Sequence, residues 1–282
     1  MQRLHSLPPL ATALLYAALI LAIVTLVSCG GGSTASLSQN TTTPPAAPTP
    51  TPTPTPIPTP TPGNTTVIDN VEDSNNWLTC GGCGNDGGVG SAPHSSVTPN
   101  LPTPSEDGSA TQFSIAATVP FTNTYWYMLH PIVTNQFSAL TYEFDLMIPN
   151  GSENAPQAIE FECQQILDGW IYNFAFQADY GRNLWRVFNY GAKAWESASI
   201  PLQRFTPGTW HHIMAEYHND TTSHTVFHDA LTVDGIRYTV NMTHNAFFSG
   251  ANNQFTNAFQ LDSNGQITPY SVYLDRMKIS YK

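Results

Sequence analysis

The strongest constraint on the fold is an alternation of polar and apolar residues with a period of two, which recurs from residue 64 to the end of the chain. Residues 140–148 and 158–164 show it most clearly, and it is the pattern of a half-buried β-strand. Turn-forming residues separate roughly a dozen such segments, and no window holds an apolar stripe at helical spacing. The sequence therefore predicts an all-β domain, a two-sheet antiparallel sandwich or jelly roll.

The first 28 residues predict an export signal, because an apolar run follows Arg3 and His5. This run ends in the motif Leu-Val-Ser-Cys-Gly, which resembles a bacterial lipobox in which Cys29 is acylated. The alternative is a plain membrane anchor, since about 18 apolar residues can span a bilayer. Gly30 follows the cysteine where Asp would favour retention at the inner membrane, so we expect an exported lipoprotein at the outer membrane or cell surface.

Residues 29–63 predict a disordered linker, which is rich in Gly, Ser and Thr and then continues as Thr-Pro repeats. Recurrent proline fixes φ and removes backbone donors, so the segment forms neither a helix nor a sheet. We expect a semi-rigid spacer between a membrane and a single domain formed by residues 64–282.

The charge of the chain narrows the choice of partners. The formal net charge is −11, and all 20 acidic residues lie after residue 64. This balance argues against nucleic acid and acidic polysaccharides, and it leaves neutral glycans or cations as partners. We expect a monomer that reaches the membrane only through its lipid.

Cys80 and Cys83 form a Cys-Gly-Gly-Cys motif. In an exported protein a structural disulfide between them is the preferred interpretation. Half of a zinc site and a redox pair are the alternatives, although no second ligand pair is present at suitable spacing.

One strand carries side chains suited to chemistry. In residues 158–164 the apolar odd positions face a core, and Glu160, Glu162 and Gln164 share the opposite face. Two carboxylates and an amide suit sugar hydroxyls, a metal ion or acid–base chemistry. The alternative is a solvated strand face.

Three motifs follow in order: Pro-Gly-Thr-Trp-His-His-Ile at 207–213, Leu-Thr-Val-Asp-Gly-Ile at 231–236 and Leu-Asp-Arg-Met-Lys-Ile at 274–279. Together they resemble the concanavalin A-like lectin/glucanase superfamily, which includes laminin-G-like modules and laminarinase-type β-glucanases. The resemblance extends from about Val67 to the end of the chain and implies a concanavalin A-like jelly roll. It fixes no function, because that fold hosts lectins, hydrolases, lyases and adhesion modules.

The resemblance allows the enzyme hypothesis to be tested on residues. Laminarinase-type enzymes carry Glu-x-Asp-x-Glu, with the first Glu as nucleophile and the last as acid/base. Aligning Glu160 with the first position puts Gln164 last, and aligning Glu162 with the last position puts Ala158 first. Either register lacks one carboxyl that retaining hydrolysis needs, so we do not expect ordinary retaining catalysis. Glu160 and Glu162 remain weak catalytic candidates.

Glycan recognition needs hydrogen-bonding side chains together with aromatic faces for sugar C–H groups. Asp168-Gly169 predicts a two-residue hairpin, which would bring Asn173 or Gln177 beside the carboxylates. The aromatic candidates are tryptophans, for each of which packing in the core or at a rim is the alternative. The candidate ligand-binding residues are Glu160, Glu162, Gln164, Asn173, Gln177, Gln260, Asp262, Trp126, Trp170 and Trp185.

The last strand holds a change of phase near Asp275, which predicts a β-bulge there. Asp275 also lies where related jelly rolls often place a calcium ligand, and Asp69 or Asn70 would supply partners. The alternative is an aspartate that only stabilises the bulge. His224 and His228 share a strand face but have no evident third ligand.

The sequence thus predicts an exported lipoprotein whose jelly roll binds a neutral or weakly charged glycan. A polysaccharide-cleaving hydrolase or lyase is the first alternative, using Glu160 or Glu162 with a partner from another strand. An adhesion or structural module is the second. No cofactor is expected beyond a structural calcium ion.

Overall fold

A computed structural model describes residues 65–80, 93–130 and 137–282. The predicted export signal, lipidation at Cys29, the linker at 29–63 and Cys83 lie outside the described residues. Cys80 is disulfide-bonded, and its pairing with Cys83 stays a prediction. The described part of the chain contains no helix of a length and apolarity that would cross a membrane.

The described residues form strands joined by turns and loops. In chain order the strands are β1 (Thr66–Ile68), β2 (Leu78–Cys80), β3 (His94–Leu101), β4 (Ala110–Ala116), β5 (Asn123–His130), β6 (Ala139–Met147), β7 (Pro156–Leu167), β8 (Gly169–Asp179), β9 (Leu184–Asn189), β10 (Ala194–Pro201), β11 (Trp210–Asp220), β12 (Thr225–Val233), β13 (Ile236–Asn245), β14 (Phe247–Ala251), β15 (Gln254–Ser263) and β16 (Tyr270–Tyr281).

These strands make two antiparallel eight-stranded sheets. Sheet 1 has the order β13-β12-β11-β6-β16-β4-β3, with β1 also paired to β16. Sheet 2 has the order β10-β9-β8-β7-β15-β5-β2, with β14 also paired to β8. The prediction of an all-β, two-sheet antiparallel sandwich is confirmed, and its assignment to the concanavalin A-like kind stays a prediction.

The core lies between the sheets and is rich in aromatic rings. Phe161 of β7 packs edge-on against Phe144 of β6, with ring centroids 5.0 Å apart, and also contacts Tyr142 and Phe176. The alternation assigned these faces correctly in β6 and β7, because only the apolar side of each strand can be buried against the opposite sheet.

The predicted bulge in β16 is confirmed. The register with β6 shifts between Asp275 and Lys278, and Arg276 adopts a positive φ of 51°. The extra residue lets the side chains on both sides of the bulge, Leu274 and Met277, face the core.

Candidate functional site

The β7–β8 hairpin positions the candidate site. Asp168 and Gly169 have φ values of 49° and 81°, as a two-residue turn with two left-handed residues requires. The resulting register places Gln177 directly opposite Glu160 and Asn173 directly opposite Gln164. Both parts of the hairpin prediction are therefore confirmed.

The outward face of sheet 2 carries a continuous set of hydrogen-bonding side chains. Strand β15 pairs with the other edge of β7 and places Gln260 opposite Glu160. We call this set the polar row, and it consists of Glu160, Glu162, Gln164, Asn173, Gln177, Gln260 and Asp262. All its members are buried or half-buried, although they point away from the core between the sheets. The seven polar candidates from the sequence thus lie together.

Glu160 is held by two amides. Gln177 Nε2 donates to its Oε1 at 2.5 Å, and Gln260 Nε2 donates to its Oε2 at 2.8 Å. The same Gln260 nitrogen lies 2.9 Å from Asp262 Oδ1, so the two carboxyl groups are immediate neighbours. Burial raises the pKa of Glu160 well above its ordinary value, and the charge of Asp262 raises it further.

Glu162 has a different set of partners. The Tyr125 hydroxyl donates to its Oε1, and Asn173 Nδ2 donates to its Oε2 at 3.1 Å. Burial raises the pKa of Glu162, while these hydrogen bonds and the charge of Lys193 partly oppose the rise. Asn173 is 3% exposed, and its Oδ1 has no hydrogen-bond partner among the described residues.

The spacing of the carboxyl groups bears on chemistry. Retaining hydrolysis places its two carboxyl groups about 5–5.5 Å apart, with the anomeric carbon between them. Glu160 and Asp262 instead both accept from the same Gln260 nitrogen, at 2.8 and 2.9 Å, and Glu160 also accepts from Gln177, so amide donors hold these carboxyl groups side by side. This geometry suits holding hydroxyl groups better than breaking a glycosidic bond.

The aromatic predictions need correction. Trp126 and Trp185 are 0% and 2% exposed and lie in the core, so neither can offer a face to a ligand. Trp170 is half-buried at the start of β8, where it stacks on His224 with centroids 3.8 Å apart. That face is already occupied by the histidine ring.

Other aromatic residues flank the polar row. Tyr125 and Tyr127 of β5 lie on the outward face, with ring centroids 5.9 Å apart. On the β9 side, an aromatic cluster is linked by centroid distances of 5.1 to 6.0 Å. It consists of Trp195, Phe188, Tyr190 and Phe247. The sequence holds a signal for the tyrosines, because the alternation of β5 puts them on the face opposite to Trp126.

The sequence also did not predict two cationic side chains that lie at the edge of the polar row. Arg186 of β9 donates to Gln177 Oε1 at 3.4 Å and to Asp179 Oδ2 at 3.2 Å. Lys193, in the β9–β10 turn, interacts electrostatically with Glu162. These cations lie near the polar row because β9 pairs with β8, and no local sequence pattern predicts that pairing.

The second carboxylate region lies at the β16 bulge and fits a calcium ion in part. Asp275 is fully buried, and its Oδ2 accepts from Ser105 Oγ at 2.9 Å and from the Glu106 N–H at 2.6 Å. Asp275 Oδ1 and Glu72 Oε1 are buried without a hydrogen-bond partner among the described residues. Two such oxygens suit a hard cation.

Glu72 is therefore a better partner for Asp275 than the predicted Asp69, which is exposed. Burial raises the pKa of Glu72 to about 8, and the charges of Asp73 and Asp275 add to the rise. Within residues 65–80, 93–130 and 137–282, no group of three or more His, Cys, Asp or Glu side chains is placed to hold a metal. Any calcium ion would thus need main-chain or water ligands as well.

The histidines do not form a metal site. His224 Nδ1 lies 2.9 Å from the Tyr172 hydroxyl, whereas His228 is fully buried and accepts from the Ala175 N–H at 3.4 Å. Burial lowers the pKa of His228 to about 3, and nearby His244 lowers it further. The two rings have separate partners.

An open depression of about 420 Å³ lies elsewhere, along β3, β4 and β16 of sheet 1. Its lining includes Ser96, Ser114 and Ser271, with His94 at one side. It contains none of the carboxylates of the polar row, so we keep the polar row as the candidate site.

No family profile and no curated protein matches the sequence. Several solved structures are similar in fold. Cip1, a cellulose-induced protein, is 9% identical, with 72% of this chain and 90% of that chain covered and a TM-score of 0.42. Arcelin-5, a lectin-like defence protein from Phaseolus vulgaris, is 8% identical over 77% and 98%, with a TM-score of 0.43.

Peanut lectin in complex with a nine-residue peptide is 10% identical, with 78% of this chain and 98% of that chain covered and a TM-score of 0.45. At such identities and scores these likenesses carry no argument about a ligand.

Proposed function

We propose that the domain binds a neutral or weakly charged glycan through the polar row. The observation that carries the proposal is the composition of this row: half-buried carboxylates bonded to amides and a tyrosine, with aromatic side chains on either side. Fixed donors and acceptors suit sugar hydroxyls, and aromatic faces suit sugar C–H groups.

Charge sets the class of glycan. Glu160, Glu162 and Asp262 dominate the row, and the cations Arg186 and Lys193 lie at its edge. A polyanionic glycan would meet like charge at the centre of the site, which is unfavourable where burial weakens solvent screening.

The test is retention on a glycan array. Wild type is expected to bind, and Glu160→Ala is expected to lose about tenfold or more in affinity, because hydrogen bonds to a charged group are removed. Glu216→Ala on the outward face of sheet 1 is the matched control. Circular dichroism establishes that both variants stay folded. Absence of binding at millimolar glycan concentration would refute the proposal and favour an adhesion or structural module.

Catalysis is the second candidate, and the carboxyl of Asp262 beside Glu160 is the observation in its favour, since it supplies a partner from another strand. A hydrolase would create new reducing ends and a lyase unsaturated products, and either activity should disappear in Glu160→Gln. A protein inert on a broad polysaccharide panel rules this candidate out.

We also propose that the chain is exported and anchored by a lipid on Cys29, with residues 29–63 as a spacer. The lipobox-like motif supports this proposal. Radiolabelled palmitate should be incorporated by wild type and not by Cys29→Ser, and incorporation by the variant would contradict the anchor.

A further inference from the structure

Lys193 covers an aromatic pair at the edge of the polar row. Its Nζ lies 3.1 Å from the centroid of the Tyr190 ring and 4.9 Å from that of Phe247. The two rings are 5.6 Å apart. Tyr190 is 5% exposed, whereas Phe247 is 41% exposed, so the lysine lies on a pair of rings that still has one open edge.

This aromatic pair is continuous with the proposed glycan site. Burial raises the pKa of Tyr190 and the charge of Glu162 raises it further, and the same charge acts on Lys193, so both side chains lie near this carboxylate. Phe247 pairs with Ile171 of β8, two residues before Asn173 and on the same outward face. From Gln177 to Ile171, β8 extends about 20 Å, which exceeds the length of a single sugar ring.

The lysine is held by contacts that a ligand can replace. An ammonium group over a ring makes only a weak contact at a partly exposed site. Lys193 has a left-handed φ of 52° and ends a turn in which its N–H donates to the Tyr190 carbonyl at 3.4 Å. Only the flexible four-carbon side chain needs to move for the ring of Tyr190 to become accessible.

We propose that Tyr190 and Phe247 form a stacking subsite for the same glycan chain that the polar row binds, and that Lys193 covers this subsite in the free protein. The inference rests on the proposed function and extends it, because it makes the ligand a chain of several neutral pyranoses rather than a single sugar. The sugar C–H face takes the place of the ammonium group on the rings.

The experiment is titration calorimetry with cellohexaose, mannohexaose and xylohexaose and with the matching disaccharides. For the hexamer that binds most tightly, Phe247→Ala is expected to weaken binding about fivefold, through loss of one aromatic contact, while disaccharide binding is unchanged. Lys193→Ala is expected to tighten hexamer binding about threefold, because no cation has to be displaced. Ile236→Ala, at a residue 59% exposed on sheet 1, is the control.

The outcomes separate the two proposals. If wild type binds none of the hexamers, the inference is overturned, and the glycan array decides the proposed function by itself. If wild type binds a hexamer and Phe247→Ala binds it equally well, only the subsite is wrong. Weaker binding by Lys193→Ala would show that the lysine contacts the sugar instead of covering its site. Phe247→Leu keeps an apolar side chain and serves as the second variant if the alanine variant fails to fold.

Discussion

The outward faces of both sheets carry carboxylates, but the partners of these carboxylates differ between the two sheets. On sheet 1 Glu143 and Glu216 are each paired with a cation: Lys278 Nζ lies 3.0 Å from Glu143, and Arg237 Nη2 lies 2.6 Å from Glu216. On sheet 2 the direct hydrogen-bond partners of Glu160 and Glu162 are amides and a tyrosine. The difference separates ion-paired carboxylates on a partly solvated surface from the carboxylates of the polar row, which are held directly by uncharged groups.

The largest expected effect concerns Glu72. Like Glu160 and Glu162 it is not paired with a cation among the described residues, although it lies near the β16 bulge and not in the polar row. Its folded pKa of about 8 exceeds the ordinary value of 4.5. Its contribution to stability is therefore complete at low pH and is lost as the pH rises through about 8.

In the presence of a chelator, Glu72→Gln should remove on the order of 3 kcal/mol of pH dependence between about pH 5 and pH 9. Urea unfolding at several pH values measures this. The same pH profile in wild type and variant would mean that Glu72 is not the group responsible. His228, which favours folding at higher pH, affects only the range below its ordinary pKa of 6.5.

A bound calcium ion would balance the negative charges of Asp275 and Glu72. We propose that calcium binds at these residues, and saturating calcium should then raise the Tm by about 5 °C. The shift should vanish in Asp275→Ala and persist in Glu216→Ala, as differential scanning fluorimetry can show. A wild-type Tm that is insensitive to chelation refutes the site.

The next prediction compares the substitution of one carboxylate on the outward face of each sheet. Glu160→Gln removes a half-buried carboxyl whose direct hydrogen-bond partners are uncharged amides, so it should raise the free energy of unfolding by about 1 kcal/mol at neutral pH while it weakens glycan binding. Glu143→Gln should lower the free energy of unfolding by about 0.5 kcal/mol and leave binding unchanged. Equal stability effects of the two substitutions would remove the distinction between the faces.

The smallest expected effect is the dependence of one surface ion pair's contribution to stability on salt concentration. The Arg237–Glu216 pair is partly exposed, so Glu216→Gln should lower the free energy of unfolding by about 0.5 kcal/mol, and the loss should shrink at about 1 M salt. Chemical denaturation at low and high ionic strength measures it. A loss that stays constant with salt would point to packing of the Arg237 side chain rather than to charge.

The two faces also show what the sequence can predict. Glu143 and Asp145 alternate with apolar residues as cleanly as Glu160 and Glu162 do, and the inward faces of both strands were predicted correctly. The partners of the carboxylates come from strands distant in sequence, such as β16 with Lys278 and β15 with Gln260. Register across those strands decides whether a carboxylate meets a cation or an amide.

The wrong prediction that Trp126 and Trp185 face a ligand has a related cause. In β5 both faces are apolar or aromatic, with Tyr125 and Tyr127 on one and Trp126 and Met128 on the other. The alternation therefore defines two faces without saying which is buried. The position of β5 inside sheet 2 decides it, and that position depends on β15 and β2.

The pairing of β1 with β16 has a mechanical consequence. Thr66 lies opposite Tyr281, so the first described strand of the chain runs antiparallel to the last one, over three residues. Tension applied through the residues before Thr65 would act on the free end of this short ladder and break its hydrogen bonds one after another, not all at once. The β1 segment would then yield at low force and add length to the chain that precedes the domain, while the sheet that carries the polar row, which β1 does not join, would remain intact.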